Sequence, residues 1–216
     1  MRFTRSRRTV TGSALGLALA TAVVLATAGA ARAAVVVVPP RPGQVGISVA
    51  GAYSLLPNTG GFGKGFDSGP GLAVRLRYRM RYERGFGLTF EGHGFDPRPG
   101  QASFFDEPTQ TELSYTKLNL YLYGVDFYQM FGTRTKTTRM LNVGAGIMHP
   151  TRSFSNGDVD SPGGDGLYAS AGAGLERFFW QSWAWDLGAR YHAIFHDGKT
   201  DHDLQGYFGV IFYASL

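Results

Sequence analysis

Residues 71–82 read GLAVRLRYRMRY, which puts Arg75, Arg77, Arg79 and Arg81 on one parity and Leu72, Val74, Leu76, Tyr78, Met80 and Tyr82 on the other. Successive side chains of a β-strand point to opposite sides, so this alternation builds one basic face and one apolar face. Residues two apart on a helix lie about 200° apart, and a helix would mix the two sets. The segment therefore predicts a strand between two unlike environments.

The same alternation recurs along the chain. Eight strand candidates follow the stiff Pro39-Pro40-Arg41-Pro42-Gly43 lead-in: Gln44 to Leu56, Gly71 to Tyr82, Phe86 to Phe95, Ser114 to Gln129, Thr138 to Met148, Gly166 to Phe178, Trp183 to Phe195 and Leu204 to Leu216. Trp183, Trp185, Leu187, Ala189, Tyr191, Ala193 and Phe195 share a face of the seventh, and Ala184, Asp186, Gly188, Arg190 and His192 share the other. Each candidate is at least about 10 residues long, enough for a tilted strand to cross a bilayer.

The connections alternate in length. Long Gly/Pro/Asp/Ser-rich stretches follow the odd strands (Pro57 to Pro70, Asp96 to Leu113, His149 to Asp165, His196 to Asp203), and tight turns follow the even ones (Glu83-Arg84-Gly85, Gly132 to Lys136, Phe179 to Ser182). An all-β, eight-stranded antiparallel up-and-down transmembrane barrel has this asymmetry, with short periplasmic turns and long external loops.

A soluble lipocalin-like barrel would invert the faces. The polar face argues against it, because Ser48, Ala50, Ala52, Asn142, Gly144, Gly146, Ser170, Gly172 and Gly174 are small, as a crowded eight-stranded interior requires. A solvent-facing surface would carry more Lys and Glu, yet the chain has only four lysines. An arginine near the bilayer midplane costs roughly 2–4 kcal/mol, so the four arginines are expected to point inward. Partners fall on the inward faces of neighbouring strands, giving a lumen charge network of Arg75, Arg77, Arg79, Arg81, Glu91, His93, Glu176, Asp186, Arg190 and His192. Tyr82, Phe86, Trp183 and Trp185 at one rim, with Tyr53, Tyr191 and Phe195 at the other, form the expected aromatic girdles.

Residues 1–33 carry the marks of a cleaved export signal: Arg2, Arg5, Arg7 and Arg8, an apolar stretch from Ser13 to Ala28, and Ala31-Arg32-Ala33 as an A-x-A site. Ser6-Arg7-Arg8 leaves a twin-arginine route open beside general secretion. Removal of Arg2, Arg5, Arg7, Arg8 and Arg32 takes the 21 basic residues to 16, equal to the 16 acids. The mature chain is then formally neutral, which removes the electrostatic basis for nucleic-acid binding. With no cysteine there is no disulfide, thiol nucleophile, Cys-based zinc site or lipobox. The expected domains are residues 1–33 as signal, 34–43 as lead-in and 44–216 as barrel.

With these features, the segments Leu141-Asn142-Val143-Gly144-Ala145-Gly146, Gly172-Ala173-Gly174-Leu175-Glu176-Arg177-Phe178 and Gly206-Tyr207-Phe208-Gly209-Val210-Ile211-Phe212-Tyr213 resemble the small outer-membrane β-barrels of the OmpA, OmpX and OmpW type. The resemblance covers nearly all of the mature chain and implies an outer-membrane location. It also implies outer-membrane lipids and lipopolysaccharide as surroundings and the barrel-assembly machinery as folding partner, although Leu216 stands where the family pattern has a terminal Phe. The expected role is structural or surface-interacting with a plugged lumen. The alternatives are a narrow channel for small apolar or anionic solutes and a lipid-modifying enzyme.

Candidate chemistry is thin, and neither a cofactor nor a metal is expected. Asn156-Gly157-Asp158-Val159-Asp160-Ser161 starts like a calcium loop, but its sixth position is Ser and its twelfth is Leu167. His192, His196, Asp197, Asp201, His202 and Asp203 cluster in sequence, yet the His-x-Ser of outer-membrane deacylases is missing, since Gly198 stands two beyond His196. Gly60-Gly61-Phe62-Gly63-Lys64-Gly65 lacks the spacing of a phosphate loop and reads as a flexible external loop. Glu83-Arg84-Gly85 predicts a three-residue hairpin with Gly85 left-handed, Tyr82 opposite Phe86, Arg77 opposite Glu91 and Arg75 opposite His93.

Overall fold

The computed structural model describes residues 41–59, 61–99, 103–106, 111–160 and 164–215. The expected signal and most of the lead-in lie outside them. The described chain forms β1 (Gln44–Leu55), a short helical turn α1 (Gly61–Gly65), β2 (Ser68–Arg79), β3 (Arg84–Phe95), β4 (Ser103–Asp106), β5 (Thr111–Phe131), β6 (Thr137–Phe154), β7 (Val159–Asp160), β8 (Gly166–Phe178), β9 (Trp183–His196) and β10 (Lys199–Ser215). The eight long strands pair antiparallel, each with its neighbours in sequence order, and β1 with β10 closes the ring. The result is an eight-stranded all-antiparallel up-and-down barrel, as the alternation predicted.

Closure gives each of the eight barrel strands a partner on both sides, and the pleat then divides the residues into an interior and an outer set. Arg75, Arg77 and Arg79 are 0–1% exposed, whereas Leu72, Val125 and Leu167 are 57–63% exposed. The polar face is inside and the apolar face outside, the reverse of a soluble globular domain. Small residues make this possible: a Cβ on Gly174 or Gly188 would lie 2.7 or 2.6 Å from the Tyr207 hydroxyl, which leans along the inner wall over adjacent β9 onto β8.

The β2–β3 hairpin departs from expectation. Tyr78, not Tyr82, pairs with Phe86, Arg77 with Gly87 and Arg75 with Thr89, and Gly85 lies in β3 without positive φ. The strands separate over residues 80–83, and Arg81 donates its N–H to the Arg84 carbonyl at 3.0 Å. Arg81 is therefore exposed in the turn and not part of the interior, and Tyr82 is exposed beside it. Pair numbers sum to 164 instead of 168. An even shift keeps every side chain on its face, so face polarity alone cannot discriminate between the two registers.

A second correction is at the far end. His196 to Asp203 is not a long loop: β9 and β10 meet in a two-residue turn, Asp197-Gly198, with φ of 53° and 69°. Asp-Gly with both residues left-handed is the tight hairpin turn whose twist matches its strands. Elsewhere β5 and β6 run past the barrel rim, where β4 and β7 add short pairings. Residues Gly61 to Gly65 are not a loose loop either, since α1 buries Phe62 and Gly63, and Gly60 lies outside the described residues.

Candidate functional site

The interior is stacked in three zones. At the short-turn end Phe178, Ala184, Ile211 and Tyr213 pack together, with Tyr128, Met130 and Met140 as a second apolar group. Above them lies the charged zone, in which Arg75, Arg77, Arg79 and Arg190 meet Glu91, Asp126, Glu176 and Asp186, all buried. Toward the long loops an apolar layer includes Leu56, Phe62, Phe66, Phe95, Leu120 and Ile194.

The charged zone is built by contacts that cross the barrel. Arg77 on β2 reaches Glu176 on β8, four strands around the ring, and its other terminal nitrogen lies 3.5 Å from Asp186 on β9. Arg79 donates to the second Glu176 oxygen at 2.7 Å, and the Tyr213 hydroxyl donates to the first at 2.6 Å. Ser48 donates to Asp186 at 2.8 Å. Glu176 thus bridges two arginines whose mutual repulsion would otherwise be unscreened in a low-dielectric interior.

A second group centres on Glu91, which receives Arg75 at 2.6 Å, Gln205 at 2.6 Å and His93 at 3.2 Å. Because Arg75 opposes Thr89, this ion pair is diagonal, between residues i and j+2 on the same face. A third group pairs Arg190 with Asp126 through two bonds of 3.2 and 2.8 Å, and Asp126 also accepts from Thr89 and, at 2.9 Å, from Tyr128. Three arginines lie over tyrosine rings: Arg75 on Tyr207 at 4.1 Å, Arg77 on Tyr128 at 4.4 Å and Arg79 on Tyr213 at 4.9 Å. A guanidinium needs such partners when water is excluded, and the rings supply attraction that carboxylates do not.

Nearer the loops His192 lies 3.0 Å from Asp203, and Ser54 lies 3.3 Å from Asp203 and 3.2 Å from His93 Nδ1. Ser54, His93 and Glu91 follow one another in the order of a nucleophile, a base and an orienting acid. All three are buried, however, and Glu91 already faces Arg75. The apolar layer above is held by one cation: Arg98 donates to the carbonyls of Leu56 at 2.6 Å, Gly63 at 2.8 Å and Phe66 at 3.0 Å. From β10, the neighbour of β1, Asp201 accepts the Gly63 N–H at 3.2 Å, and Phe62 packs on His196 of β9 with ring centroids 4.9 Å apart.

Of the residues singled out in the sequence, Arg75, Arg77, Arg79, Glu91, His93, Glu176, Asp186, Arg190 and His192 are buried inside the ring, while Arg81 is not. Tyr53, Tyr82, Phe86, Trp183, Trp185, Tyr191 and Phe195 are on the outside, Tyr191 bonded to His202. Asp126 and Gln205 join the interior without being singled out in the sequence, although Tyr121, Tyr123, Val125 and Phe127 carry the alternation that turns Asp126 inward, and Asp203, read there only as part of the His/Asp cluster, is the interior partner of His192. In the 156–161 loop Asp160 is paired with Arg152 at 2.8 Å, and Ser161 lies outside the described residues. Among the described residues no three His, Asp or Glu side chains are arranged to hold a metal.

The chain is similar to Neisserial surface protein A (TM-score 0.54, 13% identity, 78% of this chain and 95% of that one). It is similar to Ail, the attachment invasion locus protein of Yersinia pestis (0.52, 14%, 80% and 99%). A third likeness is to the N-terminal β-barrel domain of Pseudomonas aeruginosa OprF (0.51, 14%, 81% and 100%). The fold is that of the small outer-membrane barrels. A scan against protein-family models finds no match, and neither does a comparison with curated proteins.

Proposed function

We propose that the mature chain is an integral outer-membrane barrel with a structural or surface-interacting role, exported by a signal in residues 1–33 that is then removed. One observation carries the reading: large apolar side chains face outward around the ring, from Val49 and Phe90 to Leu141 and Phe208, while Arg75, Arg77, Arg79 and Arg190 face inward and find carboxylates there. Such a surface is stable only in a hydrocarbon surround. The long loops then face the exterior, and the short turns face the periplasm. Outer-membrane lipids surround the wall, and the barrel-assembly machinery inserts it.

The lumen is closed in this reading. Ion pairs that span its width and a layer of Phe62, Phe66 and Phe95 above them support closure. In planar bilayers the purified barrel gives no resolvable single-channel steps, and lipid A extracted from cells with and without it has the same mass spectrum. Steady conductance steps favour a channel. A shifted lipid A mass favours an enzyme.

A further inference from the structure

The end with short turns is strongly basic. Arg81, Arg84, Arg134, Lys136, Arg139 and Arg177 are exposed there, against a single carboxylate, Glu83, in the turns. Four of these cations sit in or beside turns, open to water. Arg139 and Arg177 do not. They stand on the outward faces of β6 and β8, Arg139 opposite Leu175 and Arg177 opposite Trp185, which makes them diagonal neighbours among apolar side chains. Neither has a carboxylate or hydrogen-bond partner among the described residues.

Next to this pair the outer wall is indented. A groove of about 540 Å³ is floored by Ala173, Gly174 and Gly188, walled by Leu141, Leu175 and Leu187, and bounded at the basic end by Phe131 and Arg139. All three tryptophans of the chain, Trp180, Trp183 and Trp185, are exposed at the same end, and Phe179 packs on Trp185 with centroids 4.9 Å apart. Aromatic side chains of this kind mark headgroup depth. Two like charges at that depth, unneutralised by protein, call for an anion, and a phosphodiester accepts paired bonds from guanidinium. The apolar groove beginning at the same arginine accepts a hydrocarbon chain.

We infer that Arg139, Arg177 and the groove over Ala173 form a binding site for one anionic glycerophospholipid of the leaflet at the short-turn end, with its phosphate on the two arginines and an acyl chain along β8. The inference rests on the membrane reading above. A lipid bearing net negative charge is selected over a zwitterionic one because choline would return a cation to the Arg pair.

The test uses the three tryptophans as reporters. The barrel is refolded into phosphatidylcholine vesicles containing a small fraction of either brominated phosphatidylglycerol or brominated phosphatidylcholine. Brominated phosphatidylglycerol is expected to quench tryptophan fluorescence about threefold more per mole, the ratio that one to two exposed ion pairs provide. Arg139→Gln combined with Arg177→Gln brings the ratio to about one, and so does Ala173→Phe, which fills the groove and leaves both charges. Arg81→Gln with Arg84→Gln, on the same rim but away from the groove, leaves it unchanged.

Equal quenching by the two lipids in the parent protein overturns the site. So does a ratio that survives either groove variant, or one that falls as far in the Arg81 and Arg84 control, which would mean a diffuse basic ring. Each variant must keep its heat-modifiable migration in SDS to count as folded. Quenching by neither lipid defeats the membrane reading itself, a different result from lost selectivity.

Discussion

Glu176 is the carboxylate on which Arg77, Arg79 and Tyr213 all converge. Its replacement by Gln keeps the shape and removes the counter-charge, leaving Asp186 as the remaining acid near Arg77. Breaking a buried pair this way costs about 3–5 kcal/mol, because the partners stay behind without compensation. Urea titration of the folded barrel in vesicles is expected to show that loss, and a change below about 1 kcal/mol would mean that water reaches the arginines. Asp126 and Arg190 provide the complementary case. Single replacements by Asn and Met each strand a charge, so the double variant is expected to lose less than the sum of the two by about 1–3 kcal/mol.

At the scale of elements, the segment from Leu56 to Phe66 behaves as a stopper held by Arg98, whose three carbonyl contacts tie the start, middle and end of the segment together. Arg98→Ala frees those carbonyls while leaving the barrel strands untouched. Trypsin cleavage after Lys64, exposed on the buried turn α1, is expected to speed up about tenfold or more, as local opening becomes cheaper by the ~1.4 kcal/mol that corresponds to tenfold. Cleavage at the parent rate would place the restraint elsewhere. The β9–β10 turn makes a separate prediction: Gly198 has φ of 69°, so Gly198→Val should cost about 1–2 kcal/mol, while Asp197→Gly should cost little. Both are read from unfolding midpoints.

For the molecule as a whole the decisive property is its inverted polarity. Val125 stands on the outer wall midway along β5, so Val125→Arg puts a charge against hydrocarbon and is expected to reduce stability in vesicles by about 2–4 kcal/mol. In a soluble barrel the same change would be near neutral, which makes it a clean discriminator. The parent protein should also migrate differently in SDS before and after boiling, because the closed ring resists detergent until heated. Identical migration, or release from membranes by carbonate, would refute the membrane assignment.

The period-two pattern by itself determined the strands, their two faces and which face is crowded with small residues, because side-chain direction along a strand is a local property of the backbone. Arg75, Arg77 and Arg79 were legible as one inward row for that reason. Partner choice was not. Shifting β3 against β2 by an even number of residues preserves every face, so Arg77 opposite Glu91 and Arg77 opposite Gly87 look alike in sequence. Only closure of the ring decides, by bringing β8 across from β2 and delivering Glu176 to Arg77 and Arg79. The same closure turned Asp126 into the partner of Arg190 and set Phe62 and Phe66 in the apolar layer beneath the long loops, contacts between residues about thirty or more positions apart that no local periodicity encodes. Arg81 sits outside the network for the complementary reason: the register that lets Arg79 reach Glu176 ends β2 two residues too early to carry Arg81 inward.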